Sequence, residues 1–535
     1  MGVVSGLRKI LYGSARKRAA ELERAQIAEH LHASSSLDRR LRAELSSEDP
    51  SAIALGDAVE HRWRVALLAE RLAAHMLIVG PSGSGKSYFT VSILKSLLAG
   101  GFWRAAVLDP KQETVDLSKL AIVTVARSLS AARRRALYGA VVQVDLFGQR
   151  SLPRLNVLSA QPGLDPEVQA YEVSRLFTSE LDDRMTMGVR QEVLYHRAAE
   201  CLIRAELPIT VLPLAFEAPA LLERLAERHG HAELFRTTAS RLKQESRERV
   251  LGLQSRVDRV LRLKATRLAL GAPDCLDAGA LFDRLALVGL SAPQGAADVS
   301  KMLAGLLWLL LSHAIRRRPN GAPRTSLVID EFPVFLSSGG AHMADGVEDL
   351  LRLARSKGVF LTALTQDLVS IAKASSSLPE VLRTNVHIFG VFRAVADASW
   401  DFLLPITGRR PKAPPAPWEE SSGGFLERGA ELTLLRQTLS RLPDRELFLA
   451  DRRTGLPGVR LRTADLHLEA TPDELAALDE VSSSHPALAS IPELERAHDA
   501  TMRRVHELLG KAEREAASPE ERGPVRRARG KLDIG

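Results

Sequence analysis

One short stretch constrains the fold of this chain more than any other. His75-Met76-Leu77-Ile78-Val79 is brief, apolar and unbroken, as in a strand buried on both faces. It stops at Gly80-Pro81-Ser82-Gly83-Ser84-Gly85-Lys86-Ser87, and an amphipathic helical pattern then runs on to Gly100-Gly101. Glycines in such a turn let backbone N–H groups face inward around an anion, and the helix start adds the positive end of its dipole. The spacing G-x-x-x-x-G-K-[ST] lets Lys86 reach β- and γ-phosphate oxygens and Ser87 offer its hydroxyl to Mg2+. ATP with Mg2+ is therefore the expected ligand of residues 80–87.

The same kind of apolar run recurs downstream. Ala105–Asp109, Val141–Leu146, Leu285–Leu290, Leu327–Asp330, Val359–Thr365, Val386–Phe392 and Glu446–Ala450 are mostly continuous rather than alternating. Helical stretches separate several of them, so the expected class is α/β with an open sheet covered on both faces. From Pro166 to Cys275 the rhythm changes to helical periodicity, which reads as an all-helical insertion. The expected organisation is a helical N-terminal region over 1–70 and a first core part over 71–165. The insertion occupies 166–275, a second core part 276–467, and a charged helical tail 468–535. Five prolines and a Ser-Ser-Gly-Gly in Pro405–Gly424 read as a long surface loop.

Leu327-Val328-Ile329-Asp330-Glu331 ends an apolar strand in two acids. Alone, that pattern also fits a helix N-cap with a first-turn acid. Beside a phosphate loop it supplies hydrolytic chemistry: Asp330 holds Mg2+ through water, and Glu331 polarises the attacking water. Gln366, at the end of another strand, is a candidate γ-phosphate sensor or a plain turn residue. Arg355, just before that strand, is either a solvated side chain or a finger reaching a neighbouring subunit's nucleotide.

Several segments together resemble the FtsK/HerA superfamily of P-loop ATPases, and within it the TraG/TraD group of conjugative coupling proteins of type IV secretion. They are Gly80–Ser87, the Leu108-Asp109-Pro110-Lys111-Gln112-Glu113 run, Leu155-Asn156-Val157-Leu158, Asp330-Glu331-Phe332-Pro333, and Ala354–Val359 leading to Thr365-Gln366. The resemblance covers residues 74–467. It implies a RecA-like core, a hexameric ring binding ATP between subunits, and DNA passing through a central pore, often with an attached relaxase. Carried onto these positions, Lys86 and Ser87 bind phosphate and Mg2+, Asp330 and Glu331 serve metal and water, Gln366 senses the γ-phosphate and Arg355 acts in trans. Asp109 and Lys111 border the site. Two departures stand out: no transmembrane helix is expected, and Gln112 stands where glycine is common.

Composition separates the remaining readings. The 535 residues carry a net charge of +8. Five cationic residues lie in residues 1–20 and five in 522–531, with no acid in either stretch. The basic character thus belongs to the ends, which suit phosphates or anionic lipid as well as plain solvation. Val3, Val4, Leu7, Ile10 and Leu11 add an apolar face at helical spacing, fit for a membrane surface or for helix packing. Two cysteines exclude a disulfide framework and fit a cytoplasmic protein. The leading expectation is an ATP-driven DNA translocase or coupling protein, with type IV secretion components as partners and membrane contact open. A HerA-like motor in DNA processing or phage defence, and an ATP-switched receptor for secreted proteins, are the alternatives.

Overall fold

In the computed structural model, residues 36–516 are described, except 61–62, 103, 180–188, 338–339, 394–432 and 434–435. The amphipathic start, the Pro405–Gly424 loop and the basic end at 522–531 lie outside the described residues. The chain divides into two compact units. One comprises Met1–Val144, Ala278–Ser291 and Leu311–His485; the other comprises Asp145–Asp277, Ala292–Leu310 and Pro486–Gly535.

The strands, in chain order, are β1 (Ile53–Ala58), β2 (Arg64–Leu67), β3 (Met76–Val79), β4 (Ala105–Asp109), β5 (Val141–Asp145), β6 (Ser151–Pro153) and β7 (Leu285–Gly289). They continue with β8 (Thr325–Ile329), β9 (Val359–Thr365), β10 (Ile388–Val391), β11 (Glu446–Asp451), β12 (Val459–Thr463) and β13 (Leu488–Ser490). Eleven of them form one sheet in the order β2-β1-β12-β11-β10-β3-β9-β8-β4-β7-β5. The run from β10 to β7 is parallel, and β2-β1-β12-β11 is an antiparallel wing joined to β10. Every residue of β3, β4 and β7 is buried. Helices on both faces impose that burial, and it is why these strands read as unbroken apolar runs.

Residues 1–70 depart from the expected helical region. A helix over 36–45 is followed by the β1–β2 hairpin, which extends the sheet. Its register shifts between Ala54 and Gly56, and such a bulge breaks the period-two pattern by which a half-buried strand is read. The expected tail likewise holds more than helix. Pro472–Ser483, opened by a Thr471/Glu474 capping box, belongs to the sheet-bearing unit. β13 and the Ile491–Ala516 helix belong to the other unit.

Among its described residues the second unit is mostly helical, and β6 and β13 pair antiparallel. Among its helices are Pro166–Ser179, Val189–Arg204, Ala232–Gln244 and Arg247–Leu261. Tyr195 is buried, with its ring 5.7 Å from Phe177 and 5.8 Å from Phe216. The buried Glu200 carboxylate is neutralised by Arg197 and Arg204 from the same helix, at 2.9 and 2.8 Å. The Ala297–Arg317 helix is long and apolar enough to cross a membrane, yet 83% of its most apolar window is buried in the protein, as in a core helix.

His75 sits at the start of β3. Its Nδ1 accepts the Leu361 N–H at 3.0 Å, so the imidazole is held neutral. Burial, and after it the nearby His387, lower its pKa to about 4. The unfolded chain takes up a proton near the ordinary histidine pKa, so stability present above about pH 6.5 is lost as pH falls toward 4. Urea unfolding of the wild type should lose about 2 kcal/mol from this group between pH 7 and pH 5. His75→Asn, which keeps an acceptor for Leu361, should remove that part of the slope. An unchanged slope would show that His75 is not the titrating group.

Candidate nucleotide site

The phosphate loop leaves the C-terminal end of β3 between β10 and β9. Val79 pairs with Val391 on one side and Thr365 on the other, and the Gly80 N–H donates to Thr365 O at 3.0 Å. A Cβ on Gly80 would stand 2.6 Å from Phe392 Cβ, so only glycine lets the loop close onto β10. Gly85, at φ 106°, caps the Lys86–Ala99 helix without any side-chain cap, and the first turn carries no acid. The first-turn N–H groups therefore lack both an intrahelical acceptor and a competing anion.

Lys86 is buried, and its Nζ donates to Gly80 O at 2.6 Å and Pro81 O at 3.0 Å. Burial lowers its pKa, while Asp330 and Glu331 oppose the shift. A phosphate entering the loop would supply the compensating charge that carbonyl dipoles give only in part.

Parallel register brings the acids to the same edge. Leu108 of β4 pairs with Ile329 of β8, which pairs with Ala363 of β9. Asp109, Asp330 and Gln366 follow as the strands end. The Ser87 hydroxyl donates to Asp330 Oδ2 at 3.2 Å, and the buried Thr114 hydroxyl donates to the same oxygen. Asp330 Oδ1 accepts the Glu331 N–H at 2.8 Å. Ser87 and Asp330 thus offer hard oxygen donors on one spot, the donor set that suits Mg2+. Glu331 adopts φ 48°, a left-handed conformation uncommon for its residue type. Its Oε1 accepts from Gln366 Nε2 at 2.8 Å and from Lys111 Nζ at 2.5 Å.

Asp109 is fully buried and accepts the N–H groups of Lys111 and Thr114 at 2.7 and 2.6 Å. Burial, and after it the neighbouring Asp330, push its pKa up to about 6.

Lys86, Ser87, Asp330, Glu331 and Gln366 therefore meet in one cluster. Arg355 does not join them. It is exposed in the turn after the Gly340–Leu353 helix, at the N-terminal end of β9. The seven residues of β9 set it roughly 20 Å from its own phosphate loop. Neither Arg445 nor Phe392 had a sequence signal for a place at this site. The Arg445 N–H donates to Ser84 O at 3.0 Å, bracing the phosphate loop from the β11 side. Thr114 lies just beyond the Asp-Pro-Lys run, the one feature that points toward it.

Comparison with known proteins bears on the fold. Residues 53–257 match the family described as "Helicase HerA, central domain". No curated protein matches the chain. Among solved structures, the unbound bacterial conjugative coupling protein TrwB is similar at a TM-score of 0.52 and 13% identity, over 81% of this chain and 92% of that one. The plasmid coupling protein TrwB with ADP and Mg2+ is similar at a TM-score of 0.50 and 12% identity, over 82% and 94%. TrwB with the ATP analogue ADPNP gives 0.50 and 12%, over 81% and 93%. The chain thus carries a HerA central-domain match over residues 53–257 and has a RecA-like P-loop ATPase fold like that of TrwB.

Proposed function

We propose that this chain is an Mg2+-dependent ATPase that moves DNA for a conjugative or type IV secretion-like transfer system. The observation that carries the reading is the meeting of Lys86 and Ser87 with Asp330, Glu331 and Gln366 at one sheet edge. Lys86 binds the β- and γ-phosphate oxygens, and the helix start cradles the β-phosphate. Ser87 and Asp330 would hold Mg2+, which would supply positive charge against that building on the phosphates. Glu331 accepts a hydrogen bond from the attacking water and so polarises it, and Gln366, which donates to Glu331, senses the terminal phosphate. The similar TrwB structures hold ADP with Mg2+ or ADPNP, in keeping with these ligands.

The placement of Arg355 favours a shared site. Its exposure, far from its own loop, suits a residue that completes the site of a neighbouring copy, and a hexameric ring repeats that contact around a pore. In this reading the residues 166–275 are a helical insertion on the ATPase core. A relaxase and secretion components are the partners, and the chain works in the cytoplasm, with its basic N-terminus available to a membrane surface. The HerA match over 53–257 favours, as a second reading, a DNA motor working in DNA processing or phage defence. Both readings share the chemistry.

Lys86→Ala should abolish ATP turnover with the fold intact by circular dichroism. Glu331→Gln should retain ATP binding and lower kcat about 100-fold or more. Normal turnover by Glu331→Gln would mean that another residue positions the water. Adding DNA to the wild-type protein should raise ATP turnover, and the stimulation should fade as salt is raised from 50 to 200 mM. Turnover indifferent to DNA would favour the receptor for secreted proteins over either motor.

A further inference from the structure

The turn after β4 and the first turn of the Glu113–Arg127 helix together touch both acids of the site. Asp109 fixes this turn from beneath, its two carboxylate oxygens accepting the N–H groups of Lys111 and Thr114. From the fixed turn Thr114 reaches Asp330 and Lys111 reaches Glu331. Lys111 and Gln366 donate to the same Glu331 oxygen, Oε1. Lys111 also stands near the Lys86 ammonium: its charge adds to burial, the main cause, in lowering the Lys86 pKa. The Lys111 side chain is half exposed, while that of Glu331 is only 15% exposed. The ammonium is therefore the partner free to swing, and the carboxylate is the one held.

We propose that Lys111 reads the terminal phosphate of the nucleotide and, by doing so, governs the release of Glu331. An oxygen already accepting from an ammonium and an amide is poorly placed to take a hydrogen bond from water. The γ-phosphate brings negative charge within reach of both lysines, and charge-assisted bonds to phosphate compete directly with the lysine–carboxylate pair. Transfer of the Lys111 ammonium to the γ-phosphate frees Oε1 for water while Gln366 keeps the carboxylate oriented. A diphosphate lacks the group that would draw Lys111 away. Lys111 is thus a specificity residue for triphosphate over diphosphate and a positioning residue for Glu331. This inference rests on the proposed role of Glu331 as the group that polarises water.

Equilibrium titration of the full chain with ADP and with a non-hydrolysable ATP analogue, each with Mg2+, tests it. Lys111→Ala should leave ADP affinity within about twofold and weaken the analogue about tenfold, the loss of one charge-assisted contact. Lys111→Arg, which keeps the charge, should restore most of the discrimination. Glu331→Gln should tighten the analogue by removing the competing carboxylate, and this gain should vanish when Lys111→Ala is combined with it. Equal weakening of both ligands by Lys111→Ala would mark a structural role and overturn the proposal, as would no change in either. The binding measurements stand apart from the role of Glu331 in chemistry. Unimpaired turnover by Glu331→Gln would remove the water-positioning reading, whereas loss of triphosphate discrimination in Lys111→Ala would still identify the phosphate-reading residue.

Discussion

A single hydrogen bond, from the Ser87 hydroxyl to Asp330 Oδ2, joins residues 243 positions apart and defines the site. It exists because β3, β9, β8 and β4 lie parallel and in a register that ends all four strands at one edge. Parallel strands need crossover helices, so the phosphate loop, the acid pair and the Gln366 turn each arise from a strand-to-helix junction. Every polar group in the cluster is placed by the end of a buried strand. A slip of one residue in any of them would turn its side chain to the other face of the sheet.

The cluster concentrates features that destabilise a fold. Asp109 and Asp330 are buried beside one another, Lys86 is buried on backbone carbonyls, and both Glu331 and Gln112 adopt positive φ. Such groups persist where the surrounding structure over-determines them, and they gather where chemistry needs charge held in advance. The deep apolar sheet supplies that surplus here. Its central strands carry no exposed residue, and the flanking helices bury Phe89 and Phe335 against the sheet's own Phe389.

Much of this was legible in the sequence, and the reason is physical. Strands covered on both faces need an unbroken apolar run, so β3, β4, β7 and β8 announce themselves. The phosphate loop and Asp330-Glu331 do so because their chemistry permits few residue types at each step. The antiparallel wing and the separate β6–β13 pair were harder to see. β1 carries a bulge, and β6 and β13 are only three residues long, too short to show a period. The contact of Arg445 arises from tertiary packing with no local pattern to mark it, and Thr114 had only its place just beyond the Asp-Pro-Lys run. The separation of Arg355 from its own loop follows from strand direction alone, once Arg355 precedes β9 and Gln366 follows it.

In the proposed function, this site is half of a catalytic centre, finished by Arg355 of a neighbouring copy. Complementation tests it directly. Lys86→Ala and Arg355→Ala are each expected to be inactive alone, one lacking the phosphate grip and the other the trans contact. Mixed in equal amounts under conditions that allow subunit exchange, they should recover ATP turnover, because some interfaces then pair an intact loop with an intact arginine. Full activity of Arg355→Ala on its own, or a mixture that stays silent although the two variants are shown to co-assemble, would contradict the account.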